Sequence, residues 1–189
     1  MRVRRRVITP VVVALGLAGC SGDAMAPTMD DQADAAGETT LLSVQPAVGA
    51  RNVTTQTQVT VTFDGPVSAD ALALMALQEG ACPAPVVAGQ WQLAADRRSA
   101  VFTPSMTLRP NTMYSLHVGG RLKDAIGGIV DIERHGPNLG GTWVTLDMAG
   151  GMAGMGMEMG MGSAANHAGP GWQHTNGMYG LAFSFTTGS

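Results

Sequence analysis

The sequence predicts an all-β protein, an antiparallel sandwich of two sheets packed face to face. Apolar and polar side chains alternate at a period of two in residues 99–103 and again in residues 113–118. Pro104 and Pro110 interrupt any strand between these stretches, so the chain must turn there. Tyr114 lies near the start of the second stretch, a position from which a tyrosine hydroxyl can bond to the backbone just upstream in a tyrosine corner. Such a corner is typical of a two-sheet sandwich.

Residues 1–19 have the composition of an export signal. Four arginines precede an apolar run, residues 7–17, that is too short to span a bilayer. Leu17, Ala18, Gly19 and Cys20 resemble the lipobox of bacterial lipoproteins, which implies cleavage before Cys20 and lipidation of that cysteine. The alternative is an ordinary secretory signal with a chance cysteine. Ser21 rather than Asp follows the cysteine, and by the sorting rule of enteric lipoproteins the resemblance implies the outer membrane. We therefore expect a lipid-anchored envelope protein facing the periplasm or the cell surface.

Cleavage changes the charge and the cysteine count. Seven basic residues remain against fourteen acidic ones, a formal charge of −7, which argues against nucleic acid as a partner. Residues 20–40 are acidic and lack large apolar side chains, so they predict a disordered tether. With Cys20 lipidated, Cys82 has no disulfide partner. We interpret it as a small, half-buried loop residue, the alternatives being a metal ligand or an intermolecular bridge.

The elements of the domain, residues 41–189, follow in order. Residues 41–44 predict an edge strand, and residues 58–63 a strand with an apolar core face. Residues 69–77 fit either a short helix or a strand. Residues 86–93 carry the candidate core aromatic Trp91, and residues 96–98 form a polar hairpin turn into the central strands.

The order of motifs resembles the SbsA-type bacterial immunoglobulin-like domain. The residues that carry the resemblance are Pro46, Gly49, Val53, Val59–Phe63, Pro66, Val67, Phe102, Thr103, Pro104, Leu108, Pro110, Tyr114, Lys123, Asp124, Gly127, Phe183, Phe185, Thr186, Thr187 and Gly188. The resemblance implies an immunoglobulin-like sandwich of about seven strands, as in S-layer and other envelope proteins, and a mostly structural role without catalysis.

A long insertion, residues 128–180, departs from that pattern before the last strand. Residues 129–132 and 142–146, around Trp143, predict additional strands. Residues 148–161 hold six of the thirteen methionines, interleaved with glycine. Glycine at this density opposes helix formation and packing, so we expect a projecting loop.

Methionine and histidine in residues 148–178 suggest a soft-metal site. Thioethers select Cu(I) or Ag(I) over harder ions, and imidazole completes the shell. The pattern is similar to the methionine-rich segments of periplasmic copper-handling proteins. The candidate ligands are Met152, Met155, Met157, Met159, Met161, His167, His174 and Met178.

The alternative is a low-complexity loop without a ligand on a structural or adhesive envelope module. A copper-handling or envelope protein is the expected partner under the metal hypothesis. No arrangement of residues fits a catalytic site, so we predict no enzyme. His117 is interpreted as a partly exposed residue of a strand face, and nothing in the sequence places His135 near the candidate ligands.

Overall fold

The computed structural model describes residues 38–149 and 167–189, which form two four-stranded sheets with every strand pair antiparallel. The strands in chain order are β1 (Leu41–Gln45), β2 (Val59–Phe63), β3 (Met75–Glu79), β4 (Gly89–Leu93), β5 (Ser99–Pro104), β6 (Met113–Val118), β7 (Thr142–Trp143) and β8 (Leu181–Thr186). The first sheet has the order β1-β2-β5-β4 and the second the order β3-β6-β8-β7. The predicted sandwich is confirmed.

The core lies between the facing sides of the two sheets. In β2 the buried Val59, Val61 and Phe63 alternate with half-buried threonines, as the period of two requires. At the centre of the second sheet, Leu116 of β6 stands opposite Leu77 of β3 and Phe183 of β8, and all three are buried. Burying each such side chain contributes roughly 1.5–3 kcal/mol relative to leaving it in water.

The predicted tyrosine corner is present. Tyr114 is buried at the start of β6, and its hydroxyl accepts a hydrogen bond of 2.8 Å from the backbone N–H of Arg109. Its ring stacks on Phe185 of β8, with the ring centroids 5.8 Å apart. The corner therefore ties the turn before β6 to the core.

We expect Tyr114→Phe to lower the free energy of unfolding by about 1–2 kcal/mol, because the N–H of Arg109 loses its acceptor while the ring keeps its packing. Urea unfolding measures the change. Tyr179→Phe is the matched control, since no described residue bonds to the Tyr179 hydroxyl. Equal losses in the two variants would contradict the importance of the corner.

Three predicted segments have a different secondary structure from the one expected. Residues 69–77 contain both candidate elements, because a 3₁₀ helix, Ala69–Leu74, runs directly into β3. In residues 129–132 the predicted strand is reduced to isolated bridges, from Ile129 to Lys123 and from Asp131 to Thr40. Of residues 142–146, only the two of β7 form a strand, since the chain then leaves the sheet edge to cross its outer face.

The folded domain begins slightly before the predicted end of the tether at residue 40. Thr39 and Thr40 are buried, and the backbone N–H and the hydroxyl of Thr40 donate to the two carboxylate oxygens of Asp64 at 2.6 and 2.7 Å. The signal, Cys20 and the rest of the tether lie outside the described residues. In the two described ranges, no helix has the length and apolar character needed to cross a membrane.

Candidate functional site

The outer face of the second sheet is covered by the insertion. Val144 bonds to the backbone of Gly180, and with Cys82, Ala149 and Ala182 it forms a second buried apolar cluster on the side of the sheet away from the core. Glycine permits a close approach at the end of β6, where a Cβ on Gly120 would stand only 2.5 Å from the backbone nitrogen of His174. The insertion thus adds a partial third layer to the sandwich.

His117 lies beneath this layer and is 0% exposed. The sequence placed it correctly on the face opposite the core, but the prediction of partial exposure is wrong, because the insertion buries that face. Its neighbours in the register are Ala76 of β3 and Ala182 of β8. Their small side chains leave room above the sheet for the imidazole and for the residues that cover it.

His117 and His167 face each other. Their Nδ1 atoms are 2.8 Å apart, and Nε2 of His117 lies 2.6 Å from the backbone oxygen of Tyr179. The side chain of Gln78 from β3 brings its Nε2 to 3.1 Å from Nδ1 of His167. Oε1 of the same amide is buried without a hydrogen-bond partner among the described residues. A β-strand and the insertion therefore supply one imidazole each to a buried polar pocket.

Trp172 closes this pocket. Its ring stacks on His167, with centroids 3.9 Å apart and planes 13° from parallel, and it tilts against His117 at 4.6 Å. The tryptophan is half-buried, while His167 is 8% exposed. The indole consequently shields both imidazoles from water.

Burial keeps both histidines neutral. Desolvation lowers the pKa of His117 to about 4, partly opposed by the hydrogen bond to Tyr179, and the neighbouring His167 lowers it further. Desolvation also lowers the pKa of His167 to about 4. Both rings accordingly offer lone pairs rather than positive charge at neutral pH.

The remaining described candidates, His174 and Met178, make no hydrogen bond or ring contact with this pair among the described residues. The ring of His174 tilts against Trp143 at 5.2 Å, and its Nδ1 accepts a hydrogen bond from the N–H of Asn176 at 3.3 Å. His174 also lines a separate surface pocket of about 440 Å³ with Arg134. Met178 is half-buried and accepts a backbone hydrogen bond from His174.

His135, which the sequence could not place, has no hydrogen bond or ring contact to His167 or His174 in the described ranges.

Five predicted ligands, Met152, Met155, Met157, Met159 and Met161, lie outside the described residues. The residues that flank them meet, because the N–H of His167 donates to the backbone oxygen of Ala149 at 2.7 Å. Met148 packs against the second apolar cluster beside them. Within residues 38–149 and 167–189, no three His, Cys, Asp or Glu side chains form a group that could hold a metal ion.

Cys82 is buried in the second apolar cluster and is a free cysteine. Burial raises the pKa of its thiol to about 11, so it stays protonated at neutral pH and packs as a small apolar side chain. It is more deeply buried than the half-buried loop residue predicted from the sequence, because the insertion covers it.

Residues 35–133, just over half of the chain, match the family model described as Bacterial Ig-like domain. The chain belongs to this family. Bacterial Ig-like domains are typically extracellular or envelope-associated and typically non-catalytic. The family predicted from the motifs is confirmed, and the match ends at residue 133, inside the first part of the insertion.

Solved structures of similar proteins include domains 1–6 of the surface layer protein SbsC, which is 20% identical with a TM-score of 0.38. That match covers 51% of this chain and 13% of the SbsC chain. An L,D-transpeptidase from Mycobacterium smegmatis is 25% identical with a TM-score of 0.36, over 45% of this chain and 37% of its own. This chain thus spans a minor part of either protein. No curated protein matches the chain.

Sequence reasoning missed His117 and Gln78 as members of the pocket. His117 could be placed on the outer face of a predicted strand, whereas Gln78 follows residues 69–77, which the sequence left open between a helix and a strand. What was missing was the knowledge that residues 167–179 return across that face. The pairing of His117 with His167 spans fifty positions and has no local signature.

Proposed function

We propose that this protein is a lipid-anchored envelope Ig-like protein whose Met/His-rich segment, residues 148–178, binds Cu(I) and buffers the ion or passes it on. The observation that carries the proposal is the hydrogen bond between Ala149 and His167. Ala149 and His167 are the described residues on either side of the five methionines, and this bond holds them together next to the buried imidazoles of His117 and His167. A methionine-rich sequence that serves only as filler has no need of such a position.

The chemistry of the donors supports a soft, monovalent ion. Thioethers bind without losing a proton, so they remain competent in an oxidising compartment where free thiols are lost. Neutral thioethers and imidazoles favour Cu(I) and Ag(I) over ions that need carboxylate oxygens, such as Mg²⁺ or Ca²⁺. A copper-handling or envelope protein is the proposed partner for transfer.

A Cu(I) competition titration tests the proposal. The chain from Ser21 to Ser189, under ascorbate, is expected to withdraw copper from a chromophoric chelator at a defined stoichiometry. Changing Met152, Met155, Met157, Met159 and Met161 together to leucine is expected to weaken apparent affinity at least roughly tenfold, since even outer-shell changes alter metal affinity about 10–100-fold.

The matched control changes Met106 and Met113 to leucine, because both are exposed on the sandwich and neither belongs to the segment. This control should titrate as the unchanged protein does. Equal copper withdrawal by the five-leucine protein and the control would refute a role for the segment.

The alternative function is a structural or adhesive envelope module whose segment has no ligand. The family match favours it, because bacterial Ig-like domains are typically non-catalytic. The same titration decides between the two functions. If the unchanged protein withdraws no copper, the structural module remains and its partner is to be sought among envelope proteins.

The lipid anchor is tested separately. Metabolic labelling with a clickable palmitate analogue is expected to mark the unchanged protein and to fail with Cys20→Ser, because the lipid is attached to that sulfur. Cys82→Ser is the control and should keep the label, since Cys82 is buried in the domain. Labelling of the Cys20→Ser protein would contradict the proposed anchor.

A further inference from the structure

We infer that His117 and His167 form a two-nitrogen seat for a soft monovalent cation, Cu(I) or Ag(I), between the second sheet and the insertion. The choice of ion rests on the proposed function. The seat itself lies inside the folded domain and needs none of the five methionines of residues 150–166. The ion bridges the two Nδ1 atoms, which now stand 2.8 Å apart.

The tautomer of His117 follows from its contacts. Nε2 lies 2.6 Å from the backbone oxygen of Tyr179, which only accepts, so Nε2 carries the proton. In a neutral ring Nδ1 is then unprotonated, and its lone pair points at His167. A metal-binding histidine usually donates its other N–H to a carboxylate or a backbone carbonyl, which fixes the ring and increases its basicity. His117 already makes this supporting bond.

Nδ1 of His167 faces two groups with opposite requirements. If it carries a proton, it donates to His117 but meets the N–H donors of Gln78 Nε2 at 3.1 Å. If it is bare, it accepts from Gln78 but places its lone pair against the lone pair of His117. Turning the Gln78 amide over removes the first conflict, and it then leaves the buried NH₂ group in the position where Oε1 has no partner. With the atoms of the described residues alone, every arrangement leaves a polar atom of this pocket poorly matched.

A cation between the two Nδ1 atoms resolves the contact, because both lone pairs then point at positive charge. Metal–imidazole bonds are about 2.0–2.1 Å long, so a two-coordinate ion, which prefers a near-linear geometry, requires the two nitrogens to separate to about 4 Å. The nitrogens must therefore move apart by about 1.2 Å. His167 is the ring that we expect to move, because it belongs to the insertion rather than to a strand. Two-coordinate, near-linear binding suits the monovalent ions Cu(I) and Ag(I), whereas Zn²⁺ takes four ligands.

The surroundings select for low charge. No carboxylate is hydrogen-bonded to either imidazole in the described residues, so a divalent ion would be buried without compensation. The face of Trp172, 3.9 Å from His167 and 4.6 Å from His117 between ring centroids, can stabilise a single positive charge. These features favour a monovalent ion over Zn²⁺.

The test uses silver nitrate as a redox-inert probe on the chain from Ser21 to Ser189, read by long-range ¹H–¹⁵N NMR of the histidine rings. Without silver, His117 should show a protonated Nε2 and a bare Nδ1. One equivalent of Ag(I) is expected to shift the Nδ1 resonances of His117 and His167. The resonances of His135, which is no candidate ligand, should stay in place. An unchanged His117 Nδ1 resonance at saturating silver overturns the seat.

The five-leucine protein separates this inference from the proposed function. If Ag(I) shifts the same two resonances in that protein, the seat stands whatever the methionines do. If the shifts vanish in the five-leucine protein, sulfur holds the ion and the seat is overturned, while the proposed function survives. If the unchanged protein binds neither Cu(I) nor Ag(I), both fail.

A variant measures how much His117 contributes to the affinity for Cu(I). His117→Gln keeps a polar side chain of similar length and is expected to lower the affinity of the five-leucine protein for Cu(I) at least tenfold, with His135→Gln as the matched control. Circular dichroism establishes that each variant is folded, and the NMR titration of the unchanged protein decides the matter if His117→Gln is not. Equal affinities of two folded variants would overturn the inference.

Discussion

The domain is expected to lose stability as the pH falls from about 6.5 towards 4, before its carboxylates are protonated. Burial lowers the pKa of both His117 and His167 from 6.5 to about 4 in the folded protein. Between these values the unfolded chain binds protons that the folded chain does not. The free energy of unfolding therefore decreases as the pH falls. The stabilisation is fully present above pH 6.5 and is lost progressively below it.

The magnitude follows from linkage. A pKa of about 4 against 6.5 for one histidine costs about 2 kcal/mol of folding free energy at pH 5, and about 3 kcal/mol below pH 4. Neither ring is hydrogen-bonded to a carboxylate in the described part of the chain, and the polar and aromatic groups against the two rings include Gln78, Trp172 and the carbonyl of Tyr179. A charge that appears there has no acidic partner, so the cost is not offset.

Urea unfolding at pH 7, 6 and 5 measures this slope. His117→Gln should flatten it, because one of the two titrating groups is gone and the other loses a neighbour. His135→Gln should leave it unchanged, since His135 makes no hydrogen bond or ring contact with either histidine among the described residues. A free energy of unfolding that stays constant from pH 7 to pH 5 would contradict the burial of neutral histidines.

The strands were predictable from sequence because each carries its own signal. The alternation in β2, β5 and β6 reports directly which side chains face the core, and the spacing from Leu108 to Tyr114 identifies the corner. These patterns depend on neighbours within a few positions. They can therefore be recognised without knowledge of the tertiary structure.

The candidate site was not predictable in the same way. Ser115 and His117 alternate with buried residues in β6, which is the usual pattern of a strand with one face in water. Both are buried because a segment rich in glycine, without periodicity of its own, crosses them. Residues 167–180 have almost no regular hydrogen bonding, so no periodic pattern signals that they pack. The sequence could predict His167 as a ligand but not its partner.

Gly180→Ala is expected to destabilise the domain by at least about 3 kcal/mol. Gly180 has φ of +93°, which an L side chain tolerates poorly, and an added Cβ would overlap the carbonyl oxygen of Val118. The left-handed conformation alone costs roughly 1–2 kcal/mol. The overlap adds to this, since Val118 is buried and paired with Leu181 and cannot move away without opening the sheet.

The position of Gly180 also links this substitution to the histidine pocket. It accepts the hydrogen bond from Val144 that holds the insertion on the sheet, and it follows Tyr179, whose carbonyl binds His117. A shift of the backbone at Gly180 should therefore loosen the cover over His117 as well as lower the midpoint of urea unfolding. Faster hydrogen exchange of the Val144 amide would report that loosening.

Gly177→Ala separates the cost of the left-handed backbone conformation from the cost of steric overlap. Gly177 has a similar φ of +87°, but a Cβ there would meet nothing within 4 Å. It should therefore cost only the roughly 1–2 kcal/mol of the backbone conformation. The difference between the two variants measures how tightly the insertion is seated against the end of β6. Equal losses would mean that the chain at Gly180 relaxes freely, and the insertion would then be a poor support for a fixed pair of imidazoles.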